Sequence, residues 1–139
     1  MRDDVRQALA IDDSSSPRER TIDITTSGRK SGKPHRIEIW FYRYGDAIYL
    51  SGLPGRRTRR WLLNLEAEPR FTFHLKGDVI ADLPATAEVI TDPAERRRVL
   101  SAFYADHRRR NSSESPGASA GVEDWVARSP LARVHFQDA

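Results

Sequence analysis

Hydrophobic and polar residues alternate over several short stretches of this chain, and a period of two predicts β-strands. The strongest alternation lies in residues 35–44, where every second residue is apolar and shares one face of the predicted strand. The same criterion predicts further strands at residues 21–26, 47–51, 70–76, 79–83, 85–91 and 131–136. Gly45-Asp46 and Gly77-Asp78 are expected to form hairpin turns, and Pro84 is expected to break or bulge the chain between two strands.

Apolar residues spaced three to four apart predict two longer helices. The first covers residues 58–67, with Thr58 as its N-cap and Pro69 just beyond its end. The second runs from Asp92, its N-cap, to about Arg110. Less regular segments are two helical turns at residues 4–10 and 122–127, and a mobile Ser/Gly-rich loop at residues 111–121.

Strands joined by tight turns, with helices between some of them, predict an α+β barrel of six to seven mainly antiparallel strands. A chain of 139 residues is expected to form one domain, which we place at residues 21–139 after a flexible N-terminal arm at residues 1–20. There is no cysteine and no pair of histidines at helical spacing, so no metal site is expected. No apolar run approaches the roughly 20 residues of a transmembrane helix, and a cytoplasmic location is expected.

Arginine dominates the positive charge, and its clusters point to an anionic partner. For the clusters at residues 96–98 and 108–110, however, solvated helix surfaces are the favoured explanation. The formal net charge is only +3 and no aromatic residues interleave the basic runs, so nucleic acid is not the expected partner.

Two segments have the composition of an anion-binding site. In residues 25–36, Gly28 and Gly32 bracket two cations and a hydroxyl, although an ordinary basic hairpin turn explains the pattern as well. In residues 51–64, a glycine loop with four arginines leads into a predicted helix, whose N-terminus favours anions. A solvated run of charge is the alternative for this second segment.

Aromatic residues offer walls for a pocket. Glu38, Trp40 and Tyr42 project from one side of the predicted strand at residues 35–44, where they either line a pocket or lie under the C-terminal helix. Trp61 and Asn64 share a helix face, but Trp61 is as well explained by core packing and Asn64 by capping a turn. No arrangement of a protein nucleophile with its base is apparent, so an organic cofactor is expected to carry any reaction.

The motif Thr25-Thr26-Ser27-Gly28-Arg29-Lys30-Ser31-Gly32, followed by Trp61-x-x-Asn64-Leu65 and Pro69, resembles the deazaflavin-dependent nitroreductase and quinone reductase family. The resemblance covers residues 21–91 and more loosely the C-terminal part. It implies a split β-barrel of the FMN-binding type, a homodimer, and an oxidoreductase that uses coenzyme F420 as hydride donor to quinones, nitroaromatics or similar acceptors. FMN is the alternative cofactor, and a carrier or sensor of FMN, haem or lipid without turnover is the alternative function.

The resemblance also implies which residues form the site. The cofactor-binding residues are Arg29, Lys30, Ser31, Arg36, Ser51, Gly52, Leu53, Pro54, Gly55, Arg56, Arg57, Trp61 and Asn64. The substrate pocket is expected to contain Trp40 and Trp125. The nominees for proton donor are Tyr42, Tyr104 and His35.

Overall fold

The structure is a computed structural model that describes residues 1–111 and 121–137. The predicted mobile loop therefore lies, apart from its two end residues, outside the described residues. Within the described part of the chain, no helix is both long and apolar enough to span a bilayer.

Among the residues that the structure describes, six strands form the centre of the molecule. They are β1 (Thr21–Ser27), β2 (Pro34–Tyr44), β3 (Ala47–Ser51), β4 (Arg70–Lys76), β5 (Ile80–Val89) and β6 (Leu131–Phe136). Every neighbouring pair is antiparallel, and the order β1-β2-β3-β6-β5-β4 closes into a barrel. Closure leaves no unpaired edge among the six described strands. The predicted α+β barrel of antiparallel strands is confirmed.

Five helices surround the barrel in the described part of the chain. They are α1 (Asp3–Leu9), α2 (Pro17–Arg20), α3 (Arg60–Ala67), α4 (Pro93–Arg110) and α5 (Val122–Arg128). The long α4 begins as predicted, because the Asp92 side chain accepts a hydrogen bond from the backbone N–H of Glu95 and Pro93 occupies the first turn.

Two apolar layers hold these elements together. Inside the barrel, the fully buried rings of Phe41 and Phe73 meet edge to face with their centroids 5.3 Å apart. Outside it, α4 and α5 cover β3 and β6 through residues that include Tyr49, Phe103 and Trp125. The outer layer creates the space between helix and barrel in which a ligand can lie.

The N-terminal arm differs from its prediction. Val5, Leu9 and Ile11 are buried in the same core cluster as the inward-facing residues of the barrel. Val5 and Leu9 are four residues apart, which puts both on one face of α1. The arm is therefore packed against the barrel rather than loosely attached, while the proposed domain boundary at residue 21 stays a prediction.

Two local predictions are also wrong. The N-cap of α3 is Arg59, not Thr58, because Arg59 is the last residue with an extended backbone before the helix. Pro84 does not divide the chain into two strands, since β5 runs through it and pairs it with Thr72. The Pro84 carbonyl accepts a hydrogen bond from the N–H of Gln137, which lies just beyond the end of β6. Pro84 itself lies where the pairing of β5 with β6 ends, so the N–H that proline lacks is not needed by a partner strand.

We predict that Leu9→Ala lowers the free energy of unfolding by about 2–5 kcal/mol, because it empties a buried position in α1. Urea denaturation measures the change. Gln7→Ala, on the exposed side of the same helix, is the matched control and is expected to stay within about 0.5 kcal/mol of the parent. Equal stabilities of the two variants would show that the arm does not pack as described.

Candidate functional site

Helix α3 contacts both segments that the sequence predicts to bind an anion, residues 25–36 and residues 51–64. Trp61, Leu62 and Leu65 point into the barrel cluster, in agreement with their predicted shared face. Trp61 is only 8% exposed, so it packs in the core instead of offering its ring to a ligand. Its role in the site is to hold the start of α3 in place.

Asn64 joins α3 to the glycine turn of residues 28–33. Its amide Nδ2 donates to Thr26 Oγ1 at 3.1 Å, and its Oδ1 accepts from the Arg29 N–H at 3.1 Å. Because the side chain is 2% exposed and uses both ends in these bonds, it positions the turn rather than contacting a ligand directly. Sequence spacing alone does not reveal this link.

The glycine turn presents its cations to solvent. Gly28 N–H donates to the Lys33 carbonyl at 2.8 Å, and Gly32 adopts a φ of +71°, a conformation that glycine tolerates best. Arg29 and Lys30 are exposed and form no ion pair within the described residues. The turn therefore carries two uncompensated positive charges on a fixed backbone, which suits an anion.

Arg59 holds the loop of residues 52–58 that leads into α3. Its guanidinium donates to the Leu53 carbonyl. A Cβ at Gly55 would lie 2.6 Å from Arg59 Nη1, so a larger residue there would displace the guanidinium. At the other end, Ser51 Oγ donates to the Pro130 carbonyl at 2.7 Å. The loop is thus held by the hydrogen bond from Arg59 to Leu53 and, where it leaves β3, by the hydrogen bond from Ser51 to Pro130.

A cavity of about 630 Å³ opens between β2, this loop and the C-terminal half of α4. We call it the aromatic cavity; its walls are Pro17, Trp40, Tyr42, Ser51, Gly52, Leu53, Phe103, Asp106, His107, Arg110, Asn111 and Trp125. The structure therefore brings together the predicted residues Trp40, Tyr42 and Trp125 with the first part of the predicted loop. Tyr42 stacks on Phe103, with ring centroids 4.7 Å apart.

One wall of the aromatic cavity is charged. The nearly buried Asp106 carboxylate pairs with Arg20 at 3.5 Å and with Arg110 at 3.1 Å. Burial raises the pKa of Tyr42, the Asp106 carboxylate raises it further, and the Arg20 charge opposes the rise. Tyr42 therefore keeps its phenolic proton throughout the physiological range.

The residues that α4 contributes to this wall were not predicted from the sequence. Phe103, Asp106, His107 and Arg110 follow each other at helical spacing and all line the cavity. That spacing is visible in the sequence, but an arginine run such as residues 108–110 is more typical of a solvated helix surface.

Other predicted residues are not brought to the aromatic cavity. Arg36 pairs with Asp23 at 2.9 Å on the outside of the barrel, and Glu38 pairs there with Lys76. Tyr104 packs against Trp125 but does not itself line the cavity. The His35 ring lies close to Gly28 of the glycine turn. Of the three nominees for proton donor, only Tyr42 is in the cavity.

A second cavity, of about 420 Å³, lies near the start of α3 and shares no lining residue with the first. We call it the arginine cavity, because five arginines and a single carboxylate line it: Arg56, Arg57, Arg59, Arg96, Arg128 and Glu66. The predicted residues Gly55, Arg56 and Arg57 lie here. The predicted loop thus contributes to two separate cavities.

Comparisons with known proteins agree with the observed fold. A sequence model of the family described as F420H(2)-dependent quinone reductase matches residues 15–115, more than half of the chain. A conserved hypothetical protein from Mycobacterium tuberculosis superposes with a TM-score of 0.65 at 20% identity, over 99% of this chain and 81% of that one.

Two further solved structures are similar at lower identity. A putative pyridoxamine 5'-phosphate oxidase from Listeria innocua has a TM-score of 0.60 at 11% identity and covers 98% of this chain and 93% of its own. A structure described as an F420-H2 dependent reductase, FDR-A, has a TM-score of 0.51 at 16% identity, over 84% and 94%. These likenesses confirm the predicted split β-barrel fold.

Proposed function

Since this chain belongs to the F420H(2)-dependent quinone reductase family, we propose that it reduces a small organic acceptor, such as a quinone or a nitroaromatic compound. The resemblance inferred from the motifs is thereby confirmed, as are the cofactor, coenzyme F420, and the class of enzyme, an F420-dependent oxidoreductase. The choice of acceptor belongs to the proposal, and so does the homodimer that the resemblance implies.

The aromatic cavity is the observation that carries this proposal. Its volume of about 630 Å³ lies within the range of small-molecule and cofactor sites. Trp40 and Tyr42 supply flat apolar walls for a ring system, while Gly52 leaves the backbone of the loop close to the opening. These features fit a deazaflavin ring together with an acceptor stacked on it.

The anionic part of the cofactor needs positive charge that is not already neutralised. Arg29 and Lys30 meet this need, because both are exposed and neither has an ion-pair partner in the described parts of the chain. Arg36 does not, since Asp23 already accepts its hydrogen bond. We therefore assign the anionic tail to the turn and leave Arg36 out of the assignment.

When bound, reduced F420 supplies the hydride. The chain orients the acceptor between Trp40 and Tyr42 and keeps water out by covering the cavity with Trp125 and the end of α4. Tyr42 holds a proton on its phenolic oxygen in the cavity and donates it to the oxygen of the reduced acceptor. Asp106 and Arg110 stabilise the polar end of the same cavity.

We predict that the double variant Arg29→Ala/Lys30→Ala binds F420 about 30-fold more weakly, a loss of about 2 kcal/mol, because two charge-assisted contacts are removed. Isothermal titration calorimetry on the cofactor-free protein measures the affinity. Arg98→Ala removes an exposed cation of α4 outside both cavities, and it is expected to bind F420 as the parent does. An unchanged affinity in the double variant contradicts the assignment of the turn.

We predict that Tyr42→Phe lowers kcat by about 10²-fold or more with little change in KM, because the variant keeps the ring but loses the transferable proton. Steady-state assays with a soluble quinone measure both constants. Since the pKa of Tyr42 is raised, the parent rate is expected to stay level up to about pH 10 and to fall only when the phenol ionises. Tyr104→Phe, outside the cavity, is the control, and equal rates of the two variants would remove Tyr42 from the mechanism.

A further inference from the structure

A histidine on the outer face of the barrel is hydrogen-bonded at both of its ring nitrogens. His74 lies on β4, where its Nε2 is 2.7 Å from Thr25 Oγ1 of β1 and its Nδ1 is 2.6 Å from Asp82 Oδ1 of β5. The His74 side chain is 9% exposed, whereas that of Asp82 is 73% exposed. None of the three residues lines the aromatic cavity, so the proposed reductase reaction gives them no role.

The register of the strands brings these three side chains together. Thr25 pairs with Thr72 of β4, two residues before His74, and His74 pairs directly with Asp82 of β5. Since residues two apart on a strand share a face, the three side chains project to the same side of the sheet. The sequence does not reveal this arrangement, because Thr25 and His74 are 49 residues apart.

The hydrogen bonds determine which nitrogen of the neutral His74 ring carries the proton. The hydrogen bond from His74 lowers the pKa of Asp82, as does the charge of Arg36, so this group is a carboxylate at neutral pH. A carboxylate only accepts, so Nδ1 donates to it and Nε2 is left as the acceptor for the Thr25 hydroxyl. A hydroxyl, an imidazole and a carboxylate linked in this order form the arrangement that activates a protein nucleophile.

The nucleophile of this arrangement can be reached from outside the barrel. Thr25 is half-buried and lines an open cavity of about 380 Å³, together with Thr72. Its cross-strand neighbour on β2 is Arg36, whose side chain is 55% exposed and whose Nε donates to Asp23. A cation therefore lies beside the hydroxyl, where it can stabilise negative charge that develops on a bound carbonyl oxygen.

We propose that Thr25, His74 and Asp82 form a second active site, which hydrolyses small activated carboxylic esters through an acyl-threonine intermediate. Thr25 Oγ1 attacks the ester carbonyl carbon, its proton passes to His74 Nε2, and the C–O bond to the alcohol breaks as the alcohol leaves with that proton. Water then attacks the acyl carbon and gives a proton to His74, which returns it to Thr25 Oγ1 as the carboxylic acid leaves. Asp82 is a positioning residue, because it acts through His74.

Hydrolysis of p-nitrophenyl acetate by the full-length, cofactor-free protein tests this site, with release of p-nitrophenol followed by absorbance. We expect saturable turnover that Thr25→Val lowers at least about 100-fold and that Thr25→Ser retains, because only the latter keeps a hydroxyl. Thr72→Val removes a neighbouring hydroxyl of the same cavity and is expected to keep the parent rate. Equal rates of Thr25→Val and the parent overturn the proposal.

The position of the acetyl group separates turnover at this site from reaction of the ester with surface amines. Peptide mass spectrometry after an acid quench is expected to find the acetyl group on Thr25 in the parent. This adduct is expected to be absent in His74→Gln, which lacks the base. Acetylation confined to lysine side chains, or an equal Thr25 adduct in His74→Gln, overturns the proposal.

The positioning role of Asp82 has its own test. Asp82→Asn is expected to lower kcat about tenfold or more with KM unchanged, because the ring loses the carboxylate that fixes its tautomer. A lower melting temperature with an unchanged kcat would mean that Asp82 only stabilises the fold, which contradicts this role. Since ester hydrolysis requires no cofactor, its failure is distinct from a failure of the proposed reductase activity.

Discussion

The packing of α3 against the core of the barrel is the interaction on which the rest of the site depends. Trp61, Leu62 and Leu65 bury their side chains in the barrel cluster, and each contributes roughly 1.5–3 kcal/mol. With the helix fixed there, Asn64 can hold the glycine turn on one side, and Arg59 can hold the loop at the helix start. The turn and the loop thus have defined positions although neither contains regular structure.

Electrostatics at the start of α3 oppose the helix, and packing overcomes them. A cation near a helix N-terminus costs about 0.3–1 kcal/mol, less than the burial of one large apolar side chain. The barrel can therefore keep Arg56, Arg57 and Arg60 close to the helix start without losing the fold. Such local conflicts tend to occur where a ligand compensates them, which is consistent with anion binding on this side of the molecule.

The sequence predicts the strands well, because a barrel with one buried face imposes a period of two, and it predicts the start of α4 from Asp92 and Pro93. It fails where tertiary contacts decide. Leu9 lies in a short polar segment whose burial depends on the barrel beside it, and Pro84 is tolerated because β6 ends opposite it. Prediction of the site fails for the same reason, because tertiary contacts decide which side chains are free. The cross-strand neighbour Asp23 neutralises Arg36, and Asp106 enters the aromatic cavity only because α4 packs on β2.

Titration of intrinsic tryptophan fluorescence with F420 and, separately, with FMN shows whether the aromatic cavity receives a deazaflavin. Trp40 and Trp125 line the cavity, so a ring bound there is expected to quench their emission. We expect saturable quenching by F420 at micromolar concentrations and no comparable effect of FMN. Tight binding of FMN without binding of F420, or binding of neither, would contradict it.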